Sequence, residues 1–183
     1  MRPQIEKLSD AVMRFFTPEL YMRFNSSNDE EADRANQAWE EAIQEYQRHL
    51  NDIWNKLPSP ARKLTQVCLH DADILACQQD IEPLSPFPFE AFFPAPHWWV
   101  SAVLSLKSGD QIVTLIYGLW DRLREYPSLP DWPFSKERKQ WLYDEVDAVD
   151  DHKGMLVHRV LFSDGSILEI PFVSVLIHRF VPR

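Results

Sequence analysis

Four glycines in 183 residues leave no glycine-rich loop to cradle a phosphate, so nucleotide-binding motifs built on such loops have no place in this chain. Two cysteines, Cys68 and Cys77, are too few for a disulfide framework, and their spacing of nine is not that of a zinc site. Both read as reduced thiols. No apolar stretch approaches the ~20 residues that a membrane helix requires. The N-terminal residues include Glu6, Lys7, Asp10 and Arg14, which interrupt any apolar signal core. The expectation is a soluble, cytoplasmic protein with no membrane partner. Positive charge is also in deficit. A formal net charge of −9 opposes non-specific nucleic-acid binding, which depends on Lys and Arg neutralising phosphates, and fits a basic protein partner instead.

What the chain holds in excess is aromatic and prolyl: seven Trp, eleven Phe and fourteen Pro. With 45% hydrophobic and 26% charged residues, the composition is globular and the length suits one domain with a real core. The reading is α+β. N-terminal helices over residues 1–66, one of them long and amphipathic, pack on an antiparallel sheet of meander hairpins over 67–183.

The C-terminal run from Met155 to Phe180 organises that sheet. Two apolar, β-branched runs flank Ser163-Asp164-Gly165, and Asp-Gly between such runs is a strong hairpin signal. A third run, Val173 to Phe180, alternates and completes a meander, with Pro171 marking a bulge, a strand end or an edge because it has no amide donor. A second hairpin turns at Lys107-Ser108-Gly109-Asp110. Upstream, Ile5, Leu8, Val12 and Phe15/Phe16 predict a short helix over 4–16, and Thr17-Pro18 reads as a cap followed by proline at the start of another. Ala35, Trp39, Ala42, Ile43, Tyr46, Leu50, Ile53, Trp54 and Leu57 step by three and four, which predicts one long helix ended by Pro58. Val67 to Gln78 reads as a strand that His70-Asp71 could bulge or break. Residues 82–96 carry five Pro and four Phe, which excludes regular structure and predicts an ordered loop across the sheet. Residues 119–126, LWDRLREY, read as a short helix, and Trp141 to Val149 as a strand.

The candidates for chemistry are few. His70-Asp71-x-Asp73 combines residue types that ligate divalent metals, as in metal-dependent phosphohydrolases, although those place the His-Asp pair on helices. The plainer reading has His70 and Asp71 bonding backbone at a strand start. The acidic run Asp144, Glu145, Asp147, Asp150 and Asp151 fits no EF-hand spacing, and Glu145, between Tyr143 and Val146, reads as partly buried. His158 and His178 could share one face of the sheet, but two histidines leave a zinc site incomplete. Cys68 and His70 on one strand face are a conceivable nucleophile pair, with a structural Cys the plainer alternative. No Gly-x-Ser-x-Gly elbow is present. No catalytic residue, metal site or cofactor is assigned; the catalytic candidates are His70, Asp71, Asp73, Glu145 and His158. Aromatics in and beside the proline-rich loop, Phe92, His97, Trp98 and Trp99, are candidates for a partner-binding surface, with burial in the core as the competing account.

Four stretches carry a resemblance: Phe16-Thr17-Pro18-Glu19-Leu20, Ala38-Trp39-Glu40-Glu41, Leu69-His70-Asp71-Ala72, and Tyr143-Asp144-Glu145 followed by His158-Arg159-Val160-Leu161-Phe162-Ser163-Asp164-Gly165. On these the chain resembles a family of uncharacterised bacterial proteins catalogued only as a domain of unknown function. The resemblance implies an α+β fold, with His70, Asp71, Glu145 and His158 as signature positions, and no activity. The functional expectation is a non-enzymatic, cytosolic, immunity-like module that binds a basic protein. The alternative is a metal-dependent hydrolase using His70, Asp71 and Asp73, with His158 or Glu145 brought close by the sheet.

Overall fold

The computed structural model describes residues 12–80, 100–135, 137–149 and 154–182. Thr17 caps α1 (Pro18–Phe24), its hydroxyl accepting from the Leu20 amide at 3.2 Å, with Pro18 at the position where a missing N–H costs nothing. Asn28 caps α2 (Asp29–Ile53) by accepting from Glu31 N at 3.1 Å, and Asp29, Glu30 and Glu31 meet the positive end of the helix dipole. The expected long helix is therefore present, and it buries Ala35, Trp39, Ala42 and Ile53. It ends earlier than expected. A 3-10 turn over Trp54–Lys56 intervenes before Pro58, and α3 (Ser59–Leu64) follows. Ile43, placed on the apolar stripe by its spacing, is instead exposed.

Seven antiparallel strands follow: β1 (Asp73–Asp80), β2 (Val100–Ser108), β3 (Gln111–Leu119), β4 (Arg124–Tyr126), β5 (Trp141–Ala148), β6 (Leu156–Phe162) and β7 (Ile167–Phe180). Their order is β1-β2-β3-β7-β6-β5, with β4 also paired to β7. The sheet curls until its two ends meet. An isolated bridge joins Asp73 to Gln140, Ile74 N donates to Lys139 O at 3.0 Å, and Trp141 N donates to Ala72 O at 2.9 Å. The architecture is α+β with N-terminal helices on an antiparallel sheet, as expected.

Each face of the curled sheet has its own core. The inner one gathers Leu104, Leu115, Tyr117, Trp141, Val160 and Phe172, and Leu57, Ala61 and Leu64 from the 3-10 turn and α3 close it. The outer one lies over β5, β6 and the start of β7, where Phe15, Phe16, Trp39, Trp132, Leu142 and Leu161 pack together. A register shift between Trp141 and Tyr143 turns Leu142 and Tyr143 both outward, which widens the apolar strip that α2 covers. Trp39 sits edge-on to Tyr143 with ring centroids 4.5 Å apart. Gly165 makes the β6–β7 turn at φ +81°; a Cβ there would lie 2.5 Å from the Trp132 ring. Glycine is required at that turn on both counts.

Several local expectations give way. Residues 12–16, expected within a helix, form bends, because the amides of Arg14, Phe15 and Phe16 bond a distant carboxylate instead of closing helical turns; the rest of that expected helix lies outside the described residues. The strand expected from Val67 starts at Asp73, and the break falls where Asp71 takes φ +63°. The helix expected in LWDRLREY is absent: Arg124–Tyr126 is a strand, its residues opposite Glu169, Leu168 and Ile167. The two C-terminal runs expected as separate strands are one 14-residue strand that passes through Pro171. Pro171 stands opposite Val157 beside the irregularity in the β3–β7 pairing between Gly118 and Leu119, and its carbonyl accepts from Trp120 N at 3.2 Å. The expected loop over 82–96, and with it Phe92, His97, Trp98 and Trp99, lies outside the described residues.

Candidate functional site

The candidate residues gather around β5, but they face different ways. Alternation along the strand sends Asp144 and Val146 to the inner core and Glu145 and Asp147 to the outer one.

Glu145 is almost fully buried, and three consecutive backbone amides converge on it. Arg14 N donates to Oε2 at 2.9 Å, and Phe15 N and Phe16 N donate to Oε1 at 2.6 and 2.7 Å. This is an anion nest filled by the chain's own carboxylate, and it seats Met13, Phe15 and Phe16 in the outer core. Beside it, Tyr46 of α2 accepts from the Val146 amide at 2.8 Å, satisfying a donor on the edge of the sheet. Burial above all, reinforced by the Asp144 charge, holds that phenol far above its ordinary ionisation range. Asp147 completes the outer side, 3.0 Å from His49 Nε2 and 3.8 Å from Arg159. Arg159 in turn bonds Glu169 at 3.0 Å.

His158 belongs to the inner face and is fully buried. Its Nε2 lies 3.0 Å from Asp144 Oδ2 and its Nδ1 lies 2.9 Å from the Tyr117 hydroxyl. Asp144 also accepts from Trp141 Nε1 at 2.9 Å. A carboxylate accepts only, so in a neutral imidazole the ring proton sits on Nε2 and Tyr117 is the donor to Nδ1. Burial, with the charge of Asp144 next, pushes the Tyr117 phenol well above its ordinary range. A phenol–imidazole–carboxylate relay of this kind can move a proton; its phenol and imidazole are fully buried, and Asp144 at its end is partly exposed.

The His70-Asp71-x-Asp73 cluster does not converge. His70 Nδ1 lies 2.7 Å from the Leu142 carbonyl, which leaves Nε2 3.6 Å from Asp71. Asp73 turns away to Arg138 and to Gln140 Nε2, the latter at 3.0 Å. Neither Glu145 nor His158 joins them. Among the described residues no group of three or more His, Cys, Asp or Glu is placed to hold a metal ion. His178 stands opposite Thr114, whereas His158 stands opposite Ile170, so the two histidines do not share a site. Cys68 and Cys77 are free thiols, and Cys68 and His70 are not on a strand.

A surface cavity of about 300 Å³ opens near this cluster, lined by Tyr21, Phe134, Glu137, Arg138, Gln140 and Ser163 among others. Sequence reasoning gave no site role to these residues, nor to Tyr117, Trp141 or Tyr46; Tyr117 and Tyr46 acquire theirs from partners far away in the chain, His158 and Val146. Four stretches distant in the sequence meet around β5: the Phe16 amide on Glu145, Trp39 on Tyr143, His70 on the Leu142 carbonyl, and His158 on Asp144. No helix among the described residues is long and apolar enough to cross a membrane. Comparison with protein-family models and with curated proteins finds no match for this chain.

Proposed function

We propose that this chain is a non-enzymatic, cytoplasmic protein-binding module that recognises a basic partner, in the manner of immunity proteins that cover the basic active site of a toxin. The observation that carries the reading is the outward face of α2. That helix holds eight Asp and Glu side chains against two Arg, an excess of six out of the chain's net nine negative charges. Asp29, Glu30, Asp33, Glu40, Glu41 and Glu45 are exposed along it, and the helix is anchored from behind by Trp39 and Ala42. Charges arrayed on a rigid element steer a complementary partner and set its orientation. The polar groups with the greatest chemical potential support binding over catalysis, since Glu145, His158, His70 and Asp73 are engaged in bonds that hold the sheet and its covering layers together.

Charge reversal tests the reading. The protein is isolated gently from the cells that make it, and bound proteins are identified by native mass spectrometry. A basic protein is expected, captured less at high salt. The E40K/E41K/E45K variant, with an unchanged circular dichroism spectrum, is expected to lose it, with an association rate at least about tenfold lower. Capture of the same protein at the same affinity by the variant would sink the proposal.

A further inference from the structure

The cavity between α1, the 134–140 segment and the β6–β7 turn has a charge balance that local sequence conceals. Residues 135–140, SKERKQ, are basic as read along the chain. The fold reverses this. Asp73 from β1 takes Arg138, and Glu125 from β4 and Asp164 from the turn take Lys139. Glu137, exposed on the cavity wall, forms no ion pair among the described residues. Asp71 adds a further negative charge close enough to raise the Tyr21 and Tyr143 phenols, an effect second to burial for Tyr21. Among the described residues, the two cations Arg138 and Lys139 stand with five carboxylates, Asp71, Asp73, Glu125, Glu137 and Asp164.

Tyr21 and Phe134 form the aromatic part of the wall, with Trp132 behind them. Tyr21 is stacked on Trp132 at 5.8 Å between centroids and meets Phe134 edge-on at 5.3 Å. Trp132 is fixed by donating from Nε1 to Ser163 O at 3.0 Å, and the Ser163 hydroxyl ties down the Arg138 carbonyl at 2.7 Å and the Gln140 amide at 2.9 Å. The wall is thus held in place before anything binds. A preformed concavity that offers two aromatic rings and a carboxylate with no ion pair among the described residues, beside an Arg138 already held by Asp73, suits a flat, weakly hydrated cation.

We infer that this cavity receives an arginine side chain of the partner, its guanidinium packed against Tyr21 and Phe134 and hydrogen-bonded to Glu137. The inference rests on the basic-partner reading and adds a second, specific contact to the diffuse charge of α2. A guanidinium satisfies the carboxylate with two parallel N–H bonds, which an ammonium cannot do.

The probe is N-acetyl-argininamide, titrated at millimolar concentrations into the ¹⁵N-labelled full chain and followed by amide chemical shifts. Saturable shifts are expected at Phe134, Glu137, Gln140 and Ser163, with weaker binding of N-acetyl-lysinamide. Glu137→Gln, at an exposed position, and Phe134→Ala are each expected to weaken the arginine probe roughly fivefold to tenfold. Absence of shifts at these residues, or equal affinity in the Glu137→Gln variant with its spectrum otherwise intact, overturns the inference. Shifts confined to Glu40, Glu41 and Glu45 would leave the basic-partner reading standing and remove the cavity from it. Binding at the cavity, combined with partner capture that survives reversal of the α2 charges, would do the opposite.

Discussion

Asp144 and Glu145 are neighbours on one strand, and they do different kinds of work. Glu145 faces the outer layer and receives three amide donors from residues 14–16, each fixed by the backbone. Asp144 faces the inner layer and receives an indole N–H and an imidazole N–H, the second of which belongs to a chain ending at the Tyr117 hydroxyl. Imidazole can exchange tautomers and a hydroxyl can rotate, so the inner chain can reverse its direction once a donor replaces the Asp144 carboxylate. The three amides cannot. The outer site therefore depends on an acceptor with two anionic oxygens, whereas the inner site needs only a continuous sequence of donors and acceptors.

Removing the outer carboxylate should have the largest effect. Glu145→Ala leaves the buried Phe15 and Phe16 amides without a partner and frees that of the exposed Arg14, and each buried unsatisfied group costs about 1–3 kcal/mol, so a loss of about 2 kcal/mol or more is expected in urea unfolding. Because the bonds hold residues 14–16 on the sheet, the loss should come with faster amide exchange at Phe15 and Phe16. Glu145→Gln separates charge from shape. Its carbonyl can still accept from Phe15 and Phe16, but its NH₂ would face the Arg14 amide, donor against donor, at an expected loss of about 1–3 kcal/mol.

The same isosteric change at the neighbouring position should cost less. In Asp144→Asn the amide carbonyl keeps the Trp141 bond, while NH₂ turns towards His158 Nε2. The imidazole can answer by moving its proton to Nδ1 and donating to the Tyr117 oxygen, so both histidine contacts survive in reverse and the chain gives up only the hydrogen bond that the Tyr117 O–H donated. The expected loss is under about 1.5 kcal/mol, the net worth of one neutral hydrogen bond. The ¹⁵N shifts of His158 should report the tautomer change. A loss equal to that of Glu145→Gln, with His158 still protonated on Nε2, would show that the inner chain is as rigid as the outer nest.

This division of labour was only partly legible in the sequence. The three-four spacing of Trp39, Ala42 and Ile53 identified α2, and Asp-Gly and Gly-Asp between apolar runs identified both hairpins, because those signals act within a few residues. Glu145 stood out as a carboxylate between Tyr143 and Val146, a pattern that marks partial burial. Its partners lie about 130 residues upstream, at amides that any sequence would supply, so neither the nest nor the bends at residues 12–16 that go with it could be read in advance. The metal-like pattern of His70, Asp71 and Asp73 arose from proximity in sequence alone. The left-handed turn at Asp71 and the curl of the sheet send their side chains to Leu142, Arg138 and Gln140. Tyr117 and His158 needed the β3–β7–β6 strand order, which spacing does not specify.

The finest test of the comparison is alkaline. Tyr46 on the outer side and Tyr117 on the inner side both have phenols raised above the ordinary value of 10.0, chiefly by burial and then by Asp144. In the unfolded chain both ionise near the ordinary value, while in the folded protein both stay protonated. Above that pH the unfolded state therefore binds fewer protons than the folded one, and stability must fall as pH rises. The slope is about 1.4 kcal/mol per pH unit for each tyrosine, so about 2.7 for the pair. Below pH 9 neither contributes a slope. Tyr46→Phe and Tyr117→Phe should each remove about half of this dependence in urea unfolding between pH 10 and 11. The two variants should differ at neutral pH. Tyr46→Phe leaves the Val146 amide, a backbone donor, without its acceptor, whereas Tyr117→Phe leaves His158 Nδ1 as an acceptor without a donor. The imidazole can then hold its remaining proton on Nε2 towards Asp144, so the inner variant should be the milder by a few tenths of a kcal/mol to about 1 kcal/mol. The reverse order at neutral pH would locate the less adaptable hydrogen bonding inside the sheet rather than on its outer face.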